Sequence, residues 1–522
     1  MPTAHTSSSP HRVAASSKPI FSLTVRTVLL ILLFASALGI RLYRITDAPL
    51  AFHATRQYRS ALLARGYYYE LLDSVPEPRK RVATVAKDRM GILEPPVSEL
   101  VASAAYWLSG GERLWIPNLL SSMYWMAGGV FLFLLVAYLA SADAALISTV
   151  FYLFLPYGVE ASRSFQPDPL MVMLFMGSVH FVVRYFDQPS GRRLGAAVVC
   201  SAMAIFIKPV CLFPIFGAFA AAAFATHGLR GSVVRRAHWI FIVASLMPTA
   251  VYYTYGLFIG QFLKTQAQMS FMPSLLLKSD FWNGWLMLIS HVLGYTMLLL
   301  ALLGGVMFRS GLPRALVIGL WIGYFLYGLI FTYHIHTHDY YHLPLIPIVA
   351  LSLAPVVDSI FERLGRLLPG RGSGLLATGA IIAGLLLSAH QGPWRRPRPD
   401  PEPIREMMRS VGQVVNHSAN TVLLAHSRGK PLQFYGAIAG INWPDSNELW
   451  AKKLRGKPEL AAEERLRRMM DKHSLEYFIV TNLRDFFQQE DLKALLTRRF
   501  PLITRTDHYW VFDLRTNRKS LD

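Results

Sequence analysis

The chain has 522 residues, 53% of them hydrophobic, with a mean hydropathy of +0.34. That composition excludes a soluble enzyme and describes a polytopic membrane protein. The net charge of +20 does not point to nucleic acid, because much of the excess lies in short loops between apolar runs, where membrane orientation and anionic lipid account for it.

Residues 1–18 are rich in Ser, Ala, His and Pro and read as a disordered cytoplasmic tail. Apolar runs follow near 21–42, 115–139, 144–162, 169–186, 193–207, 210–226, 238–257, 284–308, 315–332, 343–360 and 374–390. Each is close to the length that crosses a bilayer. The first follows Lys18 and Arg26 and ends at Arg41 and Arg44 with no small-residue cleavage site, so it reads as a retained anchor. With the N-terminus inside, the inner connectors collect Arg184, Arg192 and Arg193, then Arg230, Arg235 and Arg236, then Arg309 and Arg314, then Arg363, Arg366 and Arg371. Basic residues mark cytoplasmic loops. The expectation is an all-α polytopic domain over 19–391 with about eleven transmembrane helices, N-in and C-out. Cys200 and Cys211 both fall in apolar runs and read as buried core.

The first external loop, 43–114, is long and structured. Residues 56–71 are amphipathic at helical spacing, and 97–108, just after Pro95-Pro96, is an apolar helix too short to span. Residues 258–283 mix Phe, Met, Leu and Trp with lysine, as interfacial segments do. A Pro/Arg-rich linker, 392–403, leads to an external α/β domain over 404–522. Strands are expected at 421–427, 477–482 and 509–514, and helices at 459–473 and 490–499.

Polar residues of three external stretches attract attention. His53, Arg56, Gln57 and Arg59 lie just past the first span, with Arg65 further along the same helix. Arg56 and Arg59 share a helix face, and guanidinium forks suit phosphate oxygens; a solvated basic face is the plainer reading. Glu94 precedes Pro95-Pro96, which fix its position either as a base or as part of a helix start. Arg163, Gln166 and Asp168 sit at the outer junction of two spans. An acid there is costly unless paired or functional, though Asp168 also suits a helix cap. Lys208 reads as a phosphate contact or a snorkelling lysine. The run from His334 to His342 includes His338, Asp339, Tyr340 and Tyr341. Four histidines and an aspartate leave a divalent metal open, with polar substrate contacts the preferred reading. No P-loop, Rossmann fingerprint or zincin motif occurs in usable context.

In order, these landmarks are the 56–65 helix, Glu94-Pro95-Pro96, Arg163 with Asp168-Pro169, Lys208-Pro209 and the run from His338 to Pro344. The pattern resembles the GT-C glycosyltransferases, in particular the dolichyl-phosphate-mannose–protein mannosyltransferase and lipid A aminoarabinose transferase superfamily (glycosyltransferase family 39), over about residues 20–390. The resemblance implies transfer of a sugar from a polyprenyl-phosphate carrier to a cell-envelope glycan, lipid or protein outside a bacterial inner membrane, with the C-terminal domain periplasmic. It also implies that Arg56, Arg59, Arg163 and Lys208 hold the carrier phosphate and that an acid deprotonates the acceptor. The family's Asp-Glu of the first external helix is replaced here by Arg56-Gln57. Asp168 is the expected base, then Glu94, with His53 and Asp339 in reserve. A non-catalytic protein binding lipid-linked saccharide is one alternative. A transporter or flippase is another, although only His180 and His291 are polar candidates within spans and no inverted repeat is visible.

Overall fold

The computed structural model describes residues 19–91, 93–263, 271–368, 371–391, 400–454 and 460–516. The expected tail 1–18 and residues 392–399 of the expected linker lie outside the described residues. The chain forms two compact units. Met1–Ile45, Ile92–Pro95 and Asn118–Pro397 make the first, and Thr46–Gly91, Pro96–Pro117 and Arg398–Asp522 the second. Most of the first external loop thus packs with the C-terminal residues rather than with the apolar helices.

The first unit is helical. Among the described residues seven helices are long and apolar enough to cross a membrane, or up to nine if each of two bent pairs is one span. The two further runs expected to span fall on the 17-residue helix Gly191–Ile207 and on Arg371–Gln391. Serines start several helices. Ser22 accepts the Val25 N–H at 3.3 Å, Ser141 that of Ala144 at 3.0 Å and Ser190 that of Arg193 at 3.3 Å, each satisfying an amide with no carbonyl partner in its own first turn.

Both bends have local causes. Ala142–Phe154 and Pro156–Ser162 meet at 63°, where Pro156 has no N–H to continue the ladder. Ser279–Leu293 and Tyr295–Met307 meet at 92° around Gly294, whose φ of +80° suits a residue without a Cβ. Arg41, fully buried in the first helix, anchors the first bend. Its Nε donates to Ser162 Oγ at 2.8 Å, Nη1 to Ala37 O at 3.0 Å and Nη2 to Leu153 O at 2.9 Å. Leu153 lies in the last turn before the break, where carbonyls lose their helical partners. Elsewhere, Cβ atoms added at Gly217 and Gly319 would each strike the other's carbonyl, and one at Gly323 would strike Phe213 O. Helix Leu212–Val234 therefore packs backbone-to-backbone on Leu312–Ile330 through small residues.

The second unit joins helices Ala54–Glu70, Glu77–Arg89 and Val97–Leu108 to an α/β fold. Its strands are β1 (Thr421–Leu424), β2 (Gly440–Asn442), β3 (Tyr477–Val480), β4 (Leu502–Arg505) and β5 (Trp510–Asp513), in the order β2-β1-β3-β5-β4. β1 runs parallel to β2 and β3, β5 antiparallel to β3 and β4. Both faces are covered: Val422, Phe478 and Phe512 enter one apolar cluster, Leu423, Ile479 and Val511 the other. Helix Ala54–Glu70 is fixed to this fold by Tyr58 Oη against Tyr435 Oη at 2.9 Å and by Arg65 Nη1 donating to Phe434 O at 2.7 Å.

Candidate functional site

Asp168 and Lys208 meet in the first unit. Asp168 opens helix Asp168–Asp187 ahead of Pro169, where a carboxylate faces the positive end of the helix dipole. Lys208 closes helix Gly191–Ile207 with extended backbone, the conformation a following proline imposes. Its Nζ lies 2.5 Å from Asp168 Oδ1, and both residues are at most 1% exposed. The same ammonium stands 4.9 Å from the Tyr340 ring centroid and 4.5 Å from that of Tyr341, two cation–π contacts that strengthen as water is excluded. Asp168 Oδ2 is buried with no hydrogen-bond partner among the described residues.

The segment carrying the tyrosines is held from below. Tyr327 donates to Tyr341 O at 3.1 Å, Tyr324 Oη lies 2.6 Å from His342 Nδ1, and His342 Nε2 lies 2.9 Å from Ile335 O. Tyr157, placed by the break at Pro156, has its hydroxyl beside the Asp339 carboxylate. His291 Nε2 lies 3.7 Å from Asp339 Oδ2. Asp339 is thus linked to the group through Tyr157, whose hydroxyl also feels the Asp168 charge. Tyr157 and His291 escaped the sequence reading as site residues. The signal for the first was Pro156 inside an apolar run; His291 was noticed only as a polar residue within a span.

The remaining expected residues do not all join this group. Arg163 donates to Tyr43 O, and Glu94 lies beside Tyr253. In the second unit His53 starts helix Ala54–Glu70 with φ +46°, Gln57 Nε2 donates to Phe52 O at 2.5 Å and Arg59 Nη2 to Gly91 O at 2.7 Å, while Arg56 lies in the first turn. Sequence reasoning also missed Glu99, a buried acid in the first turn of Val97–Leu108 that accepts from Ser60 Oγ at 2.7 Å. Lys430 escaped it too. Burial, with Arg59 and Arg428 nearby, pushes this lysine down to about 8.

The histidine run does not gather as a metal site. His336 Nδ1 lies 2.7 Å from Thr332 O, His338 Nδ1 lies 2.7 Å from Thr337 Oγ1, and both nitrogens of His342 are engaged. Among the described residues no three His, Cys, Asp or Glu side chains come together to hold a metal ion.

The apolar helices describe a multi-pass membrane protein, with the ion-paired centre buried among them. Residues 93–255 match the family model described as dolichyl-phosphate-mannose-protein mannosyltransferase. The chain is similar to the crystal structure of ArnT from Cupriavidus metallidurans in the apo state, at a TM-score of 0.58 and 14% identity, covering 93% of this chain and 98% of that one. The undecaprenyl-phosphate-bound ArnT matches at a TM-score of 0.58 and 13% identity, over 93% of this chain and 98% of that one. The apo Archaeoglobus fulgidus oligosaccharyltransferase matches at 0.55 and 10%, over 92% of this chain and 73% of that one. No curated protein sequence matches the chain. The fold is that of the GT-C glycosyltransferases.

Proposed function

We propose that this protein is a glycosyltransferase that moves a sugar from a polyprenyl-phosphate carrier to a cell-envelope glycan, lipid or protein. Transfer takes place on the external face of a bacterial inner membrane, with the second unit periplasmic. The observation that carries the reading is the Lys208–Asp168 pair, 2.5 Å apart and sealed from water beneath Tyr340 and Tyr341, in a chain of GT-C fold.

The chemistry needs two charges in one dry place. As the bond from the sugar's anomeric carbon to the carrier phosphate breaks, negative charge grows on the phosphate, and a fixed ammonium stabilises it. As the acceptor oxygen attacks that carbon, its proton must leave, and a carboxylate takes it. In this reading the carrier phosphate draws Lys208 toward itself and loosens its hold on Asp168 Oδ1, freeing the carboxylate to act as base. Arg56, Arg59 and Arg163, with Gln57 and His53, steady the phosphate and its sugar, as the family resemblance implies. Tyr340, Tyr341, His338 and Asp339 contact the sugar, and Glu94 orients the acceptor. ArnT, similar in fold, has been crystallised with undecaprenyl phosphate, which supports that carrier class here.

Purified protein supplied with radiolabelled polyprenyl-phosphate sugar tests this. Turnover lost in Asp168→Asn and Arg56→Ala but retained in Glu94→Gln supports the assignment; no turnover by the wild type with any envelope acceptor refutes it. The absence of Asp-Glu at Arg56-Gln57 favours one second reading, a protein that binds lipid-linked saccharide without transferring it. Carrier binding without turnover distinguishes that case.

A further inference from the structure

A cavity of about 210 Å³ lies wholly within the second unit, lined by helices Ala54–Glu70 and Glu77–Arg89 and by helix Lys430–Gly436 with the turn after it. Its polar lining comprises Arg65, Tyr69, Arg79, Glu112, Gln433 and Tyr435. None of these belongs to the Asp168–Lys208 group.

The polar groups are set in advance. Arg65 Nε bridges both Glu112 oxygens at 2.9 and 3.0 Å, and Tyr69 Oη donates to Glu112 Oε2 at 3.4 Å. The Arg65 guanidinium lies 3.7 Å above the Phe434 ring centroid, which fixes its plane. Gln433, only 1% exposed, accepts the Gly440 N–H on Oε1 at 3.3 Å, while its Nε2 has no hydrogen-bond partner among the described residues.

Size and charge narrow the ligand. Pockets for drug-sized molecules run from about 300 Å³ upward, so this one admits a single ring. Arg65 and Glu112 cancel, and Arg79 leaves one positive charge, which turns away cations. Charged, amide and phenolic groups make up about half of the lining, which suits a polar ligand better than a purely apolar one. Planar carboxylate, amide and guanidinium groups beside tyrosine rings match vicinal hydroxyls and the C–H face of a pyranose. We propose that this cavity is a saccharide subsite that takes one neutral or singly anionic pyranose ring. The sugar class follows from the lining and does not depend on whether Asp168 catalyses transfer.

The test uses the full chain in detergent, with methyl β-D-glucopyranoside and its uronate as probes in saturation-transfer NMR. Wild type should transfer saturation to at least one glycoside. Ala83→Leu, which adds bulk to the cavity wall, should abolish transfer while keeping the unfolding temperature at or above that of wild type. Arg79→Ala, at an exposed position, should weaken the uronate more than the neutral glycoside. No transfer to either glycoside by folded wild type, or undiminished transfer in folded Ala83→Leu, overturns the proposal. Loss of sugar turnover in Asp168→Asn with glycoside binding intact bears on the transferase reading alone.

Discussion

Lys208 Nζ lies 2.5 Å from Asp168 Oδ1, forty residues away in sequence, and neither side chain reaches solvent. A buried pair of this kind is broken at high cost and exchanged at low cost. Lys208→Met should therefore destabilise the protein by about 3–5 kcal/mol, since it strands the Asp168 carboxylate. Adding Asp168→Asn should recover most of that loss. Thermal unfolding in detergent, compared across the two single variants and the double, gives the coupling directly; additive losses would mean that the pair is not energetically joined.

Arg41 has no acidic partner among its hydrogen bonds; its three acceptors are Ser162 Oγ, Ala37 O and Leu153 O. Arg41→Lys should behave almost like Arg41→Met, because one ammonium cannot fork to all three. Each should cost on the order of 2 kcal/mol, the scale of losing charge-assisted bonds less the relief of a buried charge. Unfolding midpoints of the two variants check this, and full stability in Arg41→Lys would contradict it.

Lys430 gives a pH dependence. Its folded value of about 8 lies below the ordinary 10.5, so between those values the unfolded chain binds the extra proton. Stability should then rise as pH increases through that window, with the whole penalty in force below about pH 8. Lys430→Met should raise the unfolding temperature at pH 7 and remove the rise. Unfolding followed from pH 7 to 10.5 in both proteins decides it.

Gly319 and Gly217 leave no room for side chains where their helices cross. Gly319→Leu should prevent the two helices from closing and yield protein that is inserted but not folded, whereas Gly379→Leu, with open space around its Cβ, should be tolerated. Protease resistance of the purified variants reports the difference.

Hydropathy made the membrane helices legible, and short apolar runs located β1, β3 and β5. Two strands were not: β2 has only three residues, and β4 is a half-exposed edge of the sheet. The bends were also missed, because Leu155-Pro156 and Gly294 each sit in runs apolar enough to read as one straight span. Within the site, Asp168 and Lys208 were both singled out, but as base and phosphate ligand rather than as partners; nothing local links residues that a helix hairpin brings together. The grouping of the first loop with the C-terminal domain was equally invisible, since it depends on contacts such as Arg65 with Phe434, 369 residues apart.

Arg41 leaves the ribosome long before Ser162, 121 positions later. At typical synthesis rates that gap is roughly ten seconds, during which the guanidinium has no acceptor beyond its own helix. Nascent Leu23–Leu42 must therefore wait with Arg41 stretched toward the headgroups and sink to its final depth only after the kinked hairpin arrives. The helix that carries Arg41 thus completes its hydrogen bonds only once the bend at Pro156 has been made.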